Sequence, residues 1–441
     1  MSETNGVHSR GPRLVRAVGF WGLVALCINA VVGSGVYLLP SRSFDLIGPF
    51  SLWAPLLFSV PVFILALCFS EAASHFTQPG GAYLYTRTVF GDFIGFETGW
   101  MNTLARISSL AALSNGFVDS LARVVPGASG SLVRAVLITG SLGLFAVIHA
   151  SGVKYGARTI YAFTIGKLVP LLLFVVVAVI AFKTNPIPAS FNIPGPEARW
   201  NEAALLLLFA YAGFENLGVP AGEYKNPRKE LPIALLVGIL AIAAIYSLVQ
   251  LAALSALPDL SARKTPIADA AFAVMGTGGA LLISIGAVIS ILGTNLGTVL
   301  ESSRMVYALG LERSPYRWVA WVHDKFRTPV VAIFLIVGVA IPVAIIGSFT
   351  ALAILSAVAR LTTYLFTAAA VPRLRTINEG FRAPGGLLIP ILGVLISLGL
   401  FFTLNTQHLI AAAIGLGVGA VLWGIGRAVS GPMPPLLEED V

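Results

Sequence analysis

Charge is what this chain has least of. Only 11% of its 441 residues are Asp, Glu, Lys or Arg, where soluble domains carry roughly 25%. That shortfall excludes an ordinary water-facing surface. Cysteine is scarcer still: Cys27 and Cys68 are the only two, and both lie inside apolar runs. Two cysteines so placed exclude a disulfide framework and a cysteine metal site, leaving both as small buried core residues. The histidines are few and scattered. His75 and His323 fall in loops, His149 and His408 near the ends of apolar runs, and none has another ligand type close by. No zinc-protease helix motif, phosphate-binding loop or nucleophile elbow is present. The sequence therefore points away from an enzyme, and no metal or cofactor is expected. The net charge of +8 comes with no basic cluster interleaved with aromatics, which excludes a nucleic-acid argument. It fits Lys and Arg in loops that face anionic lipid.

What the chain has in plenty is apolar length. Hydrophobic residues make up 57% and the mean hydropathy is +0.88. Apolar runs of about 18 or more residues recur along nearly the whole chain, the signature of an all-α, multi-pass integral membrane protein. The first run is too long for a cleaved signal and lacks its small-residue cleavage site. Twelve spans are expected, at 17–39, 46–70, 94–122, 131–150, 159–182, 201–221, 232–257, 278–308, 329–347, 350–371, 387–404 and 408–428. A basic tail, 1–16, precedes them, and a short tail, 429–441, follows. If the N-terminus is inside, the inner segments hold 18 Lys and Arg against 7 outside. That bias places both termini in the cytoplasm, in a plasma membrane or a bacterial inner membrane. The inner segment Gln78-Pro79-Gly80-Gly81-Ala82-Tyr83 reads as a turn leading into an interfacial helix through Tyr85, Arg87 and Phe90. The inner loop Glu223–Glu230 reads as a solvated charge run.

Two spans are interrupted. The first contains Val31-Val32-Gly33-Ser34-Gly35-Val36. Unpaired backbone at membrane depth costs several kcal/mol unless protein or a water-filled cavity satisfies it. Helix packing through small residues is the alternative reading of such a cluster. The sixth span breaks in the same manner, at Ala212-Gly213-Phe214-Glu215-Asn216. Paired breaks in corresponding positions of two halves point to a transporter's binding site. Because the second break lies five spans after the first, an odd number, the halves run in opposite directions. The expected organisation is an inverted repeat, 17–182 (spans 1–5) and 183–371 (spans 6–10), with 372–428 carrying spans 11 and 12. A broken helix exposes N–H groups on one side and carbonyls on the other. The first attract a carboxylate and the second an ammonium, so the pair suits an amino acid. Gly33 and Gly35 allow close backbone approach, Ser34 offers a hydroxyl, and Phe209 and Tyr211 can form an aromatic wall.

Several motifs together resemble the amino acid–polyamine–organocation (APC) superfamily of transporters. They are Gly33-Ser34-Gly35-Val36-Tyr37-Leu38-Leu39-Pro40, Pro79-Gly80-Gly81-Ala82-Tyr83, Phe209 to Glu215, and Lys225-Asn226-Pro227-Arg228 followed by Pro232. The resemblance implies the leucine-transporter-type 5+5 inverted repeat, with helices 1 and 6 broken, and alternating access. It implies that the substrate carboxylate sits on the backbone at Ser34-Gly35. The amino group would sit on carbonyls near Val31 and Ala212, with Gly213 at the second break and Phe209 closing over the substrate. The arginine–agmatine branch of that superfamily has tryptophans where Phe209 and Thr298 stand here. Their absence weakens a cation-stacking box and favours neutral amino acids over guanidinium or polyamine cargo. Some eukaryotic members attach to a glycoprotein through a cysteine between spans 3 and 4. The loop 123–130 has none, so no disulfide-linked partner is expected.

Ionisable groups inside spans are functional candidates. Lys167 lies well within span 5, deeper than a snorkelling side chain needs, and an amine buried there can take up and release a proton. In sodium-independent superfamily members a lysine at this place stands in for a sodium ion; that role is carried to Lys167, with Ser302 or Ser303 as expected neighbours. Glu215 follows the second break and can gate, carry protons or pair with an arginine. For Arg106, an ion pair with Glu215 is the leading expectation, ahead of contact with an acidic substrate or a reach to the cytoplasmic side. Glu301 and Arg360 are further candidates for pairing. The reading is an amino acid permease working by proton symport or sodium-independent exchange. A cationic amino acid or polyamine exchanger is the alternative within the class, and a non-transporting sensor or channel subunit the alternative outside it.

Overall fold

The computed structural model describes residues 18–76, 80–152, 156–181, 194–219, 224–311, 314–377 and 379–430. The expected tail 1–16, residues 431–441 of the expected C-terminal tail, and Gln78 and Pro79 lie outside them. Among the described residues there is no strand, only an isolated bridge between Val18 and Tyr224. Each of the twelve apolar segments carries helix, whole or in pieces. The helices are α1 (Phe20–Val31), α2 (Gly35–Ile47), α3 (Ala54–Ser74), α4 (Ala82–Phe90), α5 (Asp92–Ala122), α6 (Ser131–Ala150) and α7 (Gly156–Ala181). They continue as α8 (Trp200–Tyr211), α9 (Pro227–Ala256), α10 (Pro266–Leu311), α11 (Val330–Ile346), α12 (Phe349–Leu374), α13 (Leu388–Phe402) and α14 (Thr406–Ser430).

By length and apolarity alone, seven of these helices can cross a membrane, or eight if α1 and α2, bent by 45°, form one broken span. α11 and α13 are apolar but shorter, and α8 ends after twelve residues. α10 contains a second bend, at Gly276, whose φ of +66° and ψ of −160° suit a residue without a Cβ.

α5 lies at the centre, packed by α12, α10, α4, α11 and α14. Its small polar residues make this possible. Ser108, Ser109, Ser114 and Asn115 are all buried, and the Ser114 hydroxyl donates to the Leu110 carbonyl one turn back, which satisfies it within its own helix. α3 packs on α9, and α1 on α9 and α7. The perimeter is apolar on its outer side: Leu132 and Val136 of α6, Val176 and Ile180 of α7, Ile391 of α13 and Val421 of α14 all stand exposed. So broad an outward apolar surface is what lipid covers.

α4 departs from the interfacial helix expected after Gly80-Gly81. It forms where expected, but its first six residues, Ala82–Arg87, are buried against α5 and α12. Gly81, at φ +55°, turns the chain inward, and Phe76 stacks on Tyr85 beneath the turn. The inner loop before α9 is likewise tied down rather than wholly solvated. Tyr224 is buried and donates to the Leu217 carbonyl at 2.7 Å, and the Lys225 N–H donates to the Val18 carbonyl.

Candidate functional site

The two breaks meet each other. α1 stops at Val31, Val32 is extended at ψ +91°, and α2 starts at Gly35 with no side-chain cap. α8 stops at Tyr211, and Gly213 takes φ +128°, a conformation that disfavours any residue with a Cβ. A Cβ on Gly35 would stand 2.9 Å from the Ala210 Cα, and one on Gly213 would stand 2.7 Å from the Ala30 carbonyl oxygen. Each glycine thus lets its own break lie on the backbone of the other. Tyr246 of α9 joins them, its hydroxyl reaching the carbonyls of Val31 (3.2 Å) and Ala210 (2.9 Å).

The carbonyl end of α1 carries partial negative charge, and Lys167 of α7 supplies the cation. Its Nζ donates to the carbonyls of Asn29 (2.9 Å) and Val32 (2.7 Å) and to Thr294 Oγ1 (3.0 Å). All three ammonium donors are engaged, in a fully buried side chain. Thr294 and Ser290 of α10 also donate to the Val32 carbonyl. Ser302 and Ser303, expected beside Lys167, are not among its partners. Their hydroxyls donate to Thr298 and Leu300 of their own helix. α10 meets Lys167 two turns earlier, at Thr294, because its register brings that face across α1.

Three buried charges, Arg106, Glu215 and Arg360, and the partly exposed Glu301 gather around the second break. Glu215 Oε1 accepts from Arg360 Nε of α12 (2.7 Å) and from Asn216 Nδ2 (2.9 Å). Its Oε2 accepts from the Gly213 N–H (2.8 Å) and from the Tyr364 hydroxyl (3.3 Å). The carboxylate therefore caps the backbone that the break exposes. The expected Arg106–Glu215 ion pair is not formed. Arg106 Nη2 pairs with Glu301 of α10, and its Nε donates to Asn216 Oδ1 (3.1 Å). Because Glu215 folds back on Gly213, its outer edge turns toward α12 and Arg360 takes it. Arg360 also reaches Ser109 (3.0 Å) and Ser356. Two arginines and two glutamates leave the cluster neutral, with Asn216 linking the pairs.

A cavity of about 430 Å³ lies between these groups. It is lined by Val31, Gly33, Ser34 and Gly35 from the first break and by Phe209, Ala212 and Gly213 from the second. Arg106, Thr298, Glu301 and Arg360 also face it. It extends to His149 and Gly152 at the C-terminal end of α6. Ser34 Oγ and Asn29 Oδ1 are buried in its wall without hydrogen-bond partners. Phe209 stands edge-on to Phe349 at 6.0 Å, which fixes its ring. Thr298 turns its hydroxyl back to the Thr294 carbonyl. Of the sequence candidates, the structure brings Val31, Gly33, Ser34, Gly35, Phe209, Ala212, Gly213, Arg106 and Thr298 around this one cavity. Lys167 lies just behind it, and Glu215 holds its edge. Among the described residues, no three His, Cys, Asp or Glu side chains converge as metal ligands.

Ser290, Thr294 and Tyr246 carry no functional signal in the sequence. A hydroxyl or amide inside a membrane helix is common and self-satisfying, so only the fold distinguishes these. Asn216 stands in the second break, and its polarity beside Glu215 is the signal that marks it.

A family model described as "Amino acid permease" matches residues 18–421. Among curated proteins, the chain is 29% identical to the serine/threonine exchanger SteT of Bacillus subtilis, covering 96% of this chain and 98% of that protein. It is 25% identical to the branched-chain amino acid permease BcaP of Bacillus subtilis, covering 96% and 94%. It is also 25% identical to the methylthioribose transporter of the same organism, covering 96% and 95%.

Proposed function

Because this chain belongs to the amino acid permease family, we propose that it moves neutral amino acids across the plasma membrane by alternating access to one central site. The observation that carries this reading is the pair of abutting helix breaks. They face one cavity with α2's first N–H groups and an unpartnered Ser34 hydroxyl in its wall. A first helical turn leaves N–H groups without intrahelical partners, at the positive end of the helix dipole. That is a carboxylate site at Ser34-Gly35. The carbonyls of Val31 and Ala212 border it as the ammonium site. Val31 already accepts from Tyr246, and its second lone pair remains for a substrate amine.

Lys167 occupies the cation position of this site. Its ammonium fastens the carbonyl end of α1 to α7 and α10, work that a bound sodium ion would otherwise do, so transport proceeds without sodium. Proton symport and exchange both remain compatible with a lysine there. Phe209 screens the cavity from the side of Phe349, and Glu215 positions the second break by holding the Gly213 N–H. Spans 1–5 and 6–10 form the two inverted repeats, one break in each. The cavity runs toward the C-terminal end of α6, which the Lys and Arg bias assigns to the cytoplasmic side.

Uptake of a labelled amino-acid panel into proteoliposomes tests the reading, with a polyamine, a lysine and a thio-sugar arm included. Saturable uptake of neutral amino acids is expected. Uptake confined to polyamines or thio-sugars, or no uptake by folded protein, overturns it.

A further inference from the structure

α10 lines the cavity from Gly293 to Glu301, with Leu296 and Leu300 beside its small and polar residues. Gly293, Thr294, Gly297, Thr298 and Glu301 recur at steps of one and three or four residues, and all face the cavity. A Cβ at Gly297 would meet nothing within 4 Å, so open space adjoins Glu301. That residue's Oε2 is engaged by Arg106. Among the described residues, no donor is bonded to its Oε1. The Glu301 side chain is 19% exposed, while Arg106 is 2% exposed. Both groups line the cavity, and the carboxylate is the more exposed of the two. The same guanidinium holds Asn216, three residues past Gly213, which sets Glu301 close to the second break.

We propose that Glu301 is a specificity-determining residue, its Oε1 accepting a hydrogen bond from a short, uncharged donor side chain of the cargo, a hydroxyl above all. This rests on the amino acid transport reading and names the side chain that site favours. A cargo carboxylate would face Glu301 first and be repelled. A cargo cation would enter beside Arg106 and Arg360, which line the same cavity, and their charge offsets its attraction to Glu301. A neutral donor meets neither objection. A cargo lacking the donor would displace water from Oε1 and leave it unpaired, the situation in which binding sites discriminate most strongly.

Threonine and valine are nearly the same shape and differ by this donor. Initial rates of both, measured with the full-length protein in proteoliposomes, should favour threonine at least about tenfold. In Glu301→Gln the ratio should fall several-fold, and competition by aspartate should rise because Arg106 loses its anion. Equal handling of threonine and valine by the natural protein overturns the inference, as does a preference for lysine or aspartate. If Glu301→Gln does not fold, the ratio in the natural protein still decides. Neutral uptake without discrimination sinks the Glu301 inference alone, whereas no amino acid uptake by folded protein sinks the transport reading beneath it.

Discussion

At the scale of single residues, the site depends on a few buried charges, each with a definite partner. Lys167 is the most exposed to test, because three hydrogen bonds from one ammonium hold the end of α1. Lys167→Met leaves the Val32 and Asn29 carbonyls with fewer donors and should cost about 2–3 kcal/mol, read as a lowered melting temperature in detergent, together with loss of uptake. Glu215 makes the complementary case. Glu215→Ala strands the Arg360 guanidinium and the Gly213 N–H and should cost about 3–5 kcal/mol. The double variant Glu215→Ala/Arg360→Ala should recover part of that loss, since no buried charge is then left alone. A double variant as unstable as the two losses added would argue against their pairing. These charges were all legible in the sequence, since a charge inside an apolar run is conspicuous. Their pairing was not. Arg106, Glu215, Glu301 and Arg360 allow more than one match, and helix rotation chooses between them. The Gly213 N–H, by turning the Glu215 carboxylate toward α12, settled it.

At the scale of elements, the glycines of the breaks differ in what they permit, and substitution should rank them. Gly213 combines φ +128° with the Ala30 carbonyl at 2.7 Å from a Cβ, and Gly35 meets the Ala210 backbone at 2.9 Å. Neither neighbour can rotate away. Gly33 meets only the Leu113 and Thr294 side chains, at 3.3 Å, which can shift slightly. Gly213→Ala and Gly35→Ala should each cost on the order of 3 kcal/mol, and Gly33→Ala clearly less, by melting temperature in detergent. Equal tolerance at all three would mean that the breaks do not abut. Both breaks were readable because glycine and polar residues interrupt long apolar runs. Their contact was not, because sequence carries no record of which helix lies against which. The neighbours of Lys167 failed for the same reason: the register of α10 against α1 selects Thr294 over Ser302 and Ser303. For α4, pattern and burial disagreed, since a helix with an amphipathic sequence can turn its polar residues to protein as readily as to a membrane surface.

At the scale of the whole molecule, the helical membrane class followed from hydropathy alone, and the family match spans residues 18–421. The count of spans is harder, because broken, short and polar helices each escape a test of length and apolarity. α8 stops at its break, and α5 carries too many polar residues. Both also line the cavity, so some of the features that make the site blur the outline of the fold. The central claim is that an ammonium on Lys167 does the work of a bound sodium ion between the first break and α10. Its most direct test is the initial rate of neutral amino acid uptake into proteoliposomes, with sodium outside and then with choline in its place. Equal rates in the two media are expected. A rate that collapses without sodium would contradict the account.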